Sequence, residues 1–120
     1  MTVILVSNDL MAASNIRGAA QSQQIPLTIL ANIDAVIRQC NEGSVDLVVL
    51  DLSTPGLDPG AVLPKLRGTE HPPGAVIAYG PHVHQQRLDK ATEAGCDEVL
   101  TRGQMHAQAD AVLRRYAGRG

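Results

Sequence analysis

The sequence has 120 residues, the size of one domain, and its hydrophobic fraction of 44% is enough to form one core. Its net charge of -2 gives no overall basic field, which argues against direct binding of nucleic acid. The apolar run at the N-terminus is too short for a signal peptide or a membrane span. We therefore expect a single cytoplasmic domain over residues 1–120 that contacts neither nucleic acid nor membrane.

Short apolar runs alternate along the chain with longer segments of helical spacing. Because the runs are continuous rather than alternating, they are typical of strands buried on both faces. The predicted strands are 3–6, 27–30, 47–50, 75–78 and, with a weaker pattern, 98–101. The predicted helices are 10–23, 34–40, 61–67, 83–94 and 104–116. This order predicts an α/β fold with a doubly wound five-stranded parallel sheet, since parallel neighbours need crossover connections.

Acidic residues follow two of the predicted strands. Asp9 comes after the first strand and Asp51 directly after the third. In this topology the two strands are neighbours, so both carboxylates should meet at the edge of the sheet where ligands collect. Two carboxylates, with a phosphate completing the shell, meet the minimum that Mg²⁺ needs, and a carboxylate can accept a phosphoryl group. Taken singly, either acid is more simply a helix-cap or turn residue.

The segment after the third strand carries the most specific motif. Asp51 is followed four residues later by Pro55 and then by a Gly-Leu-Asp turn, with Pro59 inserted before Gly60. This segment resembles response-regulator receiver domains, which have an acceptor aspartate, a proline four residues on and a Gly-hydrophobic-Asp-Gly turn. The Ala-Gly-Cys-Asp stretch at 94–97 resembles the family's entry to its fifth strand, so the resemblance spans essentially the whole chain. It implies the flavodoxin-like (βα)5 receiver architecture.

The resemblance also implies roles for the residues at the strand ends. Asp51 would be the phospho-acceptor, and Mg²⁺ would be held by Asp9, Asp51 and the backbone carbonyl of Ser53. Asn8 stands where receivers usually have the first of two adjacent acids, and its amide oxygen would reach the metal through a water. Because one negative charge is missing, we expect magnesium binding to be weaker than in typical receivers.

Besides Asn8, three further positions depart from the receiver pattern. Arg102 stands at the position of the family lysine, and its planar guanidinium is only a partial substitute for a compact ammonium. A solvated residue near a helix start is an equally good interpretation of Arg102. Gly80 stands where the family has a Thr or Ser hydroxyl, and Val99 replaces the aromatic that changes rotamer. The usual means of transmitting phosphorylation is therefore missing.

The resemblance implies an atypical stand-alone receiver of two-component signal transduction rather than an enzyme. A histidine kinase or phosphotransfer protein would supply the phosphoryl group. A target protein would bind the face of the fourth helix, fifth strand and fifth helix, and a homodimer is a further expectation. The last segment has a surplus of positive charge, for which a solvated helix face is the default interpretation and a docking surface for an acidic partner the more specific one. The charged residues of this segment are Arg102, Asp110, Arg114, Arg115 and Arg119.

The alternative is a pseudo-receiver that acts as a phosphorylation-independent protein-binding or dimerisation module, motivated by the departures at Asn8, Gly80, Val99 and Arg102. An enzyme of related architecture lacks support, because the sequence has no Walker motif and no GxGxxG after the first strand.

The sequence contains two further pairs of possible metal ligands, one of histidines and one of cysteines. His82 and His84 form an HxH pair, but without a suggested third ligand they are weak evidence for a transition metal. Cys40 and Cys96 lack CxxC spacing, so we expect reduced thiols.

Overall fold

Five strands and five helices alternate in the computed structural model, which describes residues 2–117. The strands are β1 (Val3–Val6), β2 (Leu27–Leu30), β3 (Leu47–Asp51), β4 (Ala75–Gly80) and β5 (Glu98–Thr101). The helices are α1 (Leu10–Ser22), α2 (Ile33–Glu42), α3 (Pro59–Arg67), α4 (Gln85–Ala94) and α5 (Arg102–Ala117). The strands form one parallel sheet in the order β2-β1-β3-β4-β5, which confirms the predicted doubly wound architecture.

The sheet has a separate apolar cluster on each face. β1, β3 and β4 are buried along their whole length, as expected for continuous apolar runs covered on both sides. On β1, β3 and β4, odd-numbered residues such as Leu5 and Val49 pack with α1 and α5, and even-numbered residues such as Ile4 and Val48 pack with α2, α3 and α4. On β5 the parity is reversed, since Leu100 lies on the α1 and α5 face. Because successive side chains alternate between faces, the parity of a residue at a strand end decides which helices it meets.

Several boundaries differ from the prediction, including the end of β4 and the start of α5. β4 runs two residues further than predicted, through Tyr79 and Gly80, because these residues pair with Leu100 and Thr101 of β5. Helix α5 begins at residue 102 rather than at 104, and its backbone departs from helical geometry at Gln108. The end of β4 is set by its pairing with β5 and the start of α5 by a helix cap, and hydrophobic periodicity predicts neither of these.

The remaining ligand candidates are the two cysteines and the HxH pair. Cys40 is buried and Cys96 half-buried, and both are free thiols. His82 and His84 are exposed in the segment before α4. Within residues 2–117, no three His, Cys, Asp or Glu side chains cluster as a metal site. None of the helices in this part of the chain is both long and apolar enough to cross a membrane.

Candidate functional site

The carboxyl ends of the central strands bring the predicted acidic residues to one edge of the sheet. Val6 of β1 pairs with Leu50 of β3, so the next residues along the two strands, Ser7 and Asp51, lie side by side. Asp51 in turn pairs with Tyr79 of β4. The register therefore places a hydroxyl and a phenol on either side of the carboxylate.

Asp51 is completely buried, with 0% of its surface exposed. Its Oδ2 accepts a hydrogen bond from the Ser7 hydroxyl at 2.6 Å. Its Oδ1 accepts one from the Ser53 hydroxyl at 2.6 Å and another from the Ser53 backbone N–H at 3.0 Å. Bonds this short are typical of a charged acceptor, and they satisfy both oxygens of the carboxylate. In this arrangement Asp51 is covered by two serine side chains.

Asp9 is both a helix cap and a neighbour of the site. Its Oδ1 accepts hydrogen bonds from the backbone N–H groups of Met11 and Ala12, at 3.0 and 3.3 Å, at the start of α1. This is the helix-cap role that the sequence predicts for Asp9 taken singly. Its other oxygen, Oδ2, lies 3.8 Å from Nη2 of Arg102. Asn8, the residue before it, is exposed.

A reciprocal capping box fixes the position of Arg102. The Thr101 hydroxyl accepts from the backbone N–H of Gln104 at 3.1 Å, while Gln104 Oε1 accepts from the backbone N–H of Thr101 at 2.9 Å. These two bonds start α5 directly after β5, so Arg102 becomes the first residue of the helix. Its Nη2 also donates a long hydrogen bond of 3.4 Å to the Ser53 hydroxyl. The guanidinium thus reaches the site, with Asp9 and Ser53 as its partners.

These contacts join five residues into a closed circuit, which we call the Asp51 ring: Asp51, Ser7, Asp9, Arg102 and Ser53. The Ser7 hydroxyl closes it by accepting from the backbone N–H of Asp9 at 3.0 Å while donating to Asp51. Each serine hydroxyl in the ring therefore donates one hydrogen bond and accepts one. The ring contains two carboxylates and one guanidinium.

Tyr79 is the β4 residue paired with Asp51, and it is fully buried in the cluster packed against α1 and α5. Burial raises the pKa of the Tyr79 phenol above its ordinary value, and the neighbouring charge of Asp51 raises it further. The phenol therefore stays neutral and serves as a packed aromatic.

Gly80 and Val99, the two positions where the sequence lacks the receiver hydroxyl and aromatic, are both closely packed. A Cβ added at Gly80 would lie 3.2 Å from Cβ of Leu52 and 3.6 Å from Cδ2 of Leu88. Leu52 therefore fills the space that a Thr or Ser side chain at this position would enter. Val99 is half-buried and packs against the cluster under α2, α3 and α4. A branched aliphatic side chain packed in this way has few alternative rotamers.

The prediction missed the hydroxyls of Ser7 and Ser53. It assigned Ser53 only a backbone carbonyl toward a metal, a role that stays a prediction, and it gave Ser7 no role. A polar residue ending the apolar run of β1, directly before the Asn8-Asp9 pair, was the available signal. Which neighbour Ser7 would meet depends on the strand register, and sequence alone leaves that open.

The donor chemistry of the ring fits a magnesium ion. Mg²⁺ takes oxygen ligands and often uses only one or two carboxylates. Oδ2 of Asp9 lies outside the helix cap, and Oδ2 of Asp51 accepts a single protein hydrogen bond, so each has lone-pair capacity left. Because Asp51 has no exposed surface, an ion reaches it only after the ring opens.

Comparison with known sequences finds no matching family model and no matching curated protein. Solved structures, in contrast, match over nearly the whole chain. The receiver domain of sensor histidine kinase PA1611 from Pseudomonas aeruginosa, described with a magnesium ion in its active-site cleft, has a TM-score of 0.81 at 20% identity, covering 98% of this chain and 97% of that one. A signal receiver domain from Bermanella marisrubri has a TM-score of 0.75 at 25% identity, covering 95% and 92%.

A third match comes from a complex of two proteins. The receiver domain of the Saccharomyces cerevisiae response regulator Ssk1, solved with the histidine phosphotransfer protein Ypd1, has a TM-score of 0.75 at 18% identity, covering 98% of this chain and 89% of that one. These matches confirm the predicted resemblance to receiver domains at the level of the fold.

Proposed function

We propose that this chain is a receiver-type module of two-component signal transduction in which Asp51 accepts a phosphoryl group. The observation that carries the proposal is the position of Asp51 at the end of β3, with Asp9 and Arg102 joined to it through the Asp51 ring. The matched receivers add support, since one is described with magnesium in its cleft and another with a phosphotransfer protein. A histidine kinase or phosphotransfer protein is the proposed phosphoryl source.

In the proposed reaction an oxygen of Asp51 attacks phosphorus. The new oxygen–phosphorus bond forms as the bond from phosphorus to the donor nitrogen breaks, and the electron pair leaves with the donor. Asp9, Asp51 and the Ser53 carbonyl would hold Mg²⁺, with Asn8 contributing through a water. The metal neutralises charge on the phosphoryl oxygens when bound. Gly80 offers no hydroxyl to these oxygens, and Arg102 is the cationic side chain of the Asp51 ring that would stabilise them.

The proposed output is a protein contact on the face formed by α4, β5 and α5. Part of the positive charge on this face is already paired, since Arg115 Nη1 lies 2.8 Å from Oε1 of Glu98. Arg114 is exposed, and Arg119 lies outside the described residues. The basic surface for an acidic partner is therefore smaller than the formal charge count predicted. A single domain over 1–120, a homodimer and a cytoplasmic location stay predictions.

Acetyl phosphate labelling tests the proposed reaction. The protein is incubated with Mg²⁺ and acetyl phosphate, and its intact mass should increase by one phosphoryl group. Asp51→Ala should abolish the increase. Asp58→Ala is the matched control, because Asp58 lies in the loop after β3 but caps α3 through the backbone N–H of Gly60. An unchanged mass under conditions that label an ordinary receiver would count against the proposal.

The alternative function, a phosphorylation-independent binding or dimerisation module, stays a prediction, and the complete burial of Asp51 behind two serine hydroxyls is the reason to test it. Analytical ultracentrifugation with and without acetyl phosphate separates the two functions. Self-association of the same strength in both samples supports the binding module. Self-association that appears only after phosphorylation supports the receiver.

A further inference from the structure

We propose that Arg102 and Mg²⁺ compete for the Asp51 ring, so that Arg102 holds the site closed to the metal until it is displaced. This inference rests on the proposed function, because it concerns how the same site is opened. It assigns Arg102 a role different from that of a lysine paired with the acceptor carboxylate.

The first observation is the charge beside Asp9. Nη2 of Arg102 lies 3.8 Å from Oδ2, the one oxygen of Asp9 that is not engaged in capping α1. A metal ion bound to Asp9 needs this oxygen. Because a guanidinium and Mg²⁺ repel each other at such short range, each weakens the binding of the other at this oxygen.

The second observation is the bridge from Arg102 to Asp51. The same Nη2 atom donates to the Ser53 hydroxyl, which donates in turn to Oδ1 of Asp51. The hydroxyl proton is thereby directed at the carboxylate, and the serine side chain covers it. When Arg102 leaves, the Ser53 hydroxyl loses one of its two hydrogen-bond partners and is held only by its bond to Asp51.

The third observation is that Arg102 is held loosely enough to move. Its side chain is 39% exposed and that of Asp9 33% exposed, and their contact is long for an ion pair. The capping box of Thr101 and Gln104 anchors the backbone at Arg102, so only the side chain has to swing. Exposed pairs of this kind shift an equilibrium by about twofold to fivefold, within reach of a competing divalent ion.

Magnesium titration by isothermal titration calorimetry tests the competition. Arg102→Gln should bind Mg²⁺ about twofold to fivefold more tightly than the wild type. Arg102→Ala should behave the same way, which removes any effect of a new amide hydrogen bond. Arg115→Gln is the matched control, since Arg115 lies on the same helix and is also ion-paired, and it should bind like the wild type.

Equal or weaker Mg²⁺ binding by both Arg102 variants overturns the competition, and so does a lack of binding in all four proteins. Labelling by acetyl phosphate is scored separately. If the wild type is labelled but the Arg102 variants bind Mg²⁺ with unchanged affinity, the competition is overturned and phosphoryl acceptance by Asp51 is still supported. Tighter Mg²⁺ binding without labelling supports the competition and overturns phosphoryl acceptance.

Discussion

Replacing Ser7 with alanine should destabilise the fold through Asp51. The substitution removes the 2.6 Å hydrogen bond to Oδ2 of a carboxylate that has no exposed surface. It also removes the acceptor for the backbone N–H of Asp9. Hydrogen bonds to charged groups contribute about 1.5–3 kcal/mol, and a buried oxygen left unpaired cannot turn to water instead. We therefore expect Ser7→Ala to lower the free energy of unfolding by about 2–3 kcal/mol.

A double-mutant cycle with Asp51→Ala isolates the part of this loss that belongs to the carboxylate. Once the charge is gone, Ser7→Ala removes only the acceptor of the Asp9 N–H and should cost about 1 kcal/mol. The coupling between the two positions should then be at least about 1 kcal/mol, measured by urea denaturation. Ser22→Ala is the control, since that exposed hydroxyl donates to the carbonyl of Ala19 and its loss should change stability by less than about 0.5 kcal/mol.

If Ser7→Ala costs the same in both backgrounds, within about 0.5 kcal/mol, the hydroxyl does not stabilise the buried carboxylate and the reasoning fails.

Two other substitutions test the surroundings of the site. Gly80→Ser should lower the free energy of unfolding by about 1–3 kcal/mol in urea denaturation, because its Cβ would lie 3.2 Å from Cβ of Leu52. Gly103→Ser, where an added Cβ meets nothing within 4 Å, is the control, and equal losses for the two would contradict the packing argument. Burial raises the pKa of the Cys96 thiol to about 11, so in a Cys40→Ala background its alkylation rate should rise with a midpoint near that pH. Because the pKa of this thiol in the folded protein exceeds its ordinary value of 9.0, its contribution to stability is full below pH 9 and is lost as the pH rises to about 11. An alkylation midpoint near pH 9 would refute the raised pKa.

The fold was predictable because its main determinants are local. The runs at β1, β3 and β4 are continuous and apolar, and such runs remain recognisable without knowledge of their partners. Their alternation with helical segments leaves few topologies, and the acids at the strand ends followed from that topology. The start of α5 was also readable in principle, since Thr101 and Gln104 have the spacing of a capping box.

The arrangement within the site was harder to predict because it depends on long-range register. Ser7 meets Asp51 only because β1 and β3 pair as they do, across 44 positions of sequence. Arg102 and Ser53 are 49 positions apart, and their contact depends on where α5 begins. The burial of Asp51 is the sum of such contacts, so the sequence alone did not reveal that two hydroxyls cover the carboxylate.

The packing of Leu52 against Gly80 also constrains how this chain can change over generations. A hydroxyl-bearing residue at position 80 would bring its Cβ to 3.2 Å from Cβ of Leu52, so Leu52 has to shift before the new side chain fits. A smaller residue at position 52 would make that room, but it would also open space in a core where Leu52 is buried. We therefore expect the effects of substitutions at the two positions on stability to be non-additive.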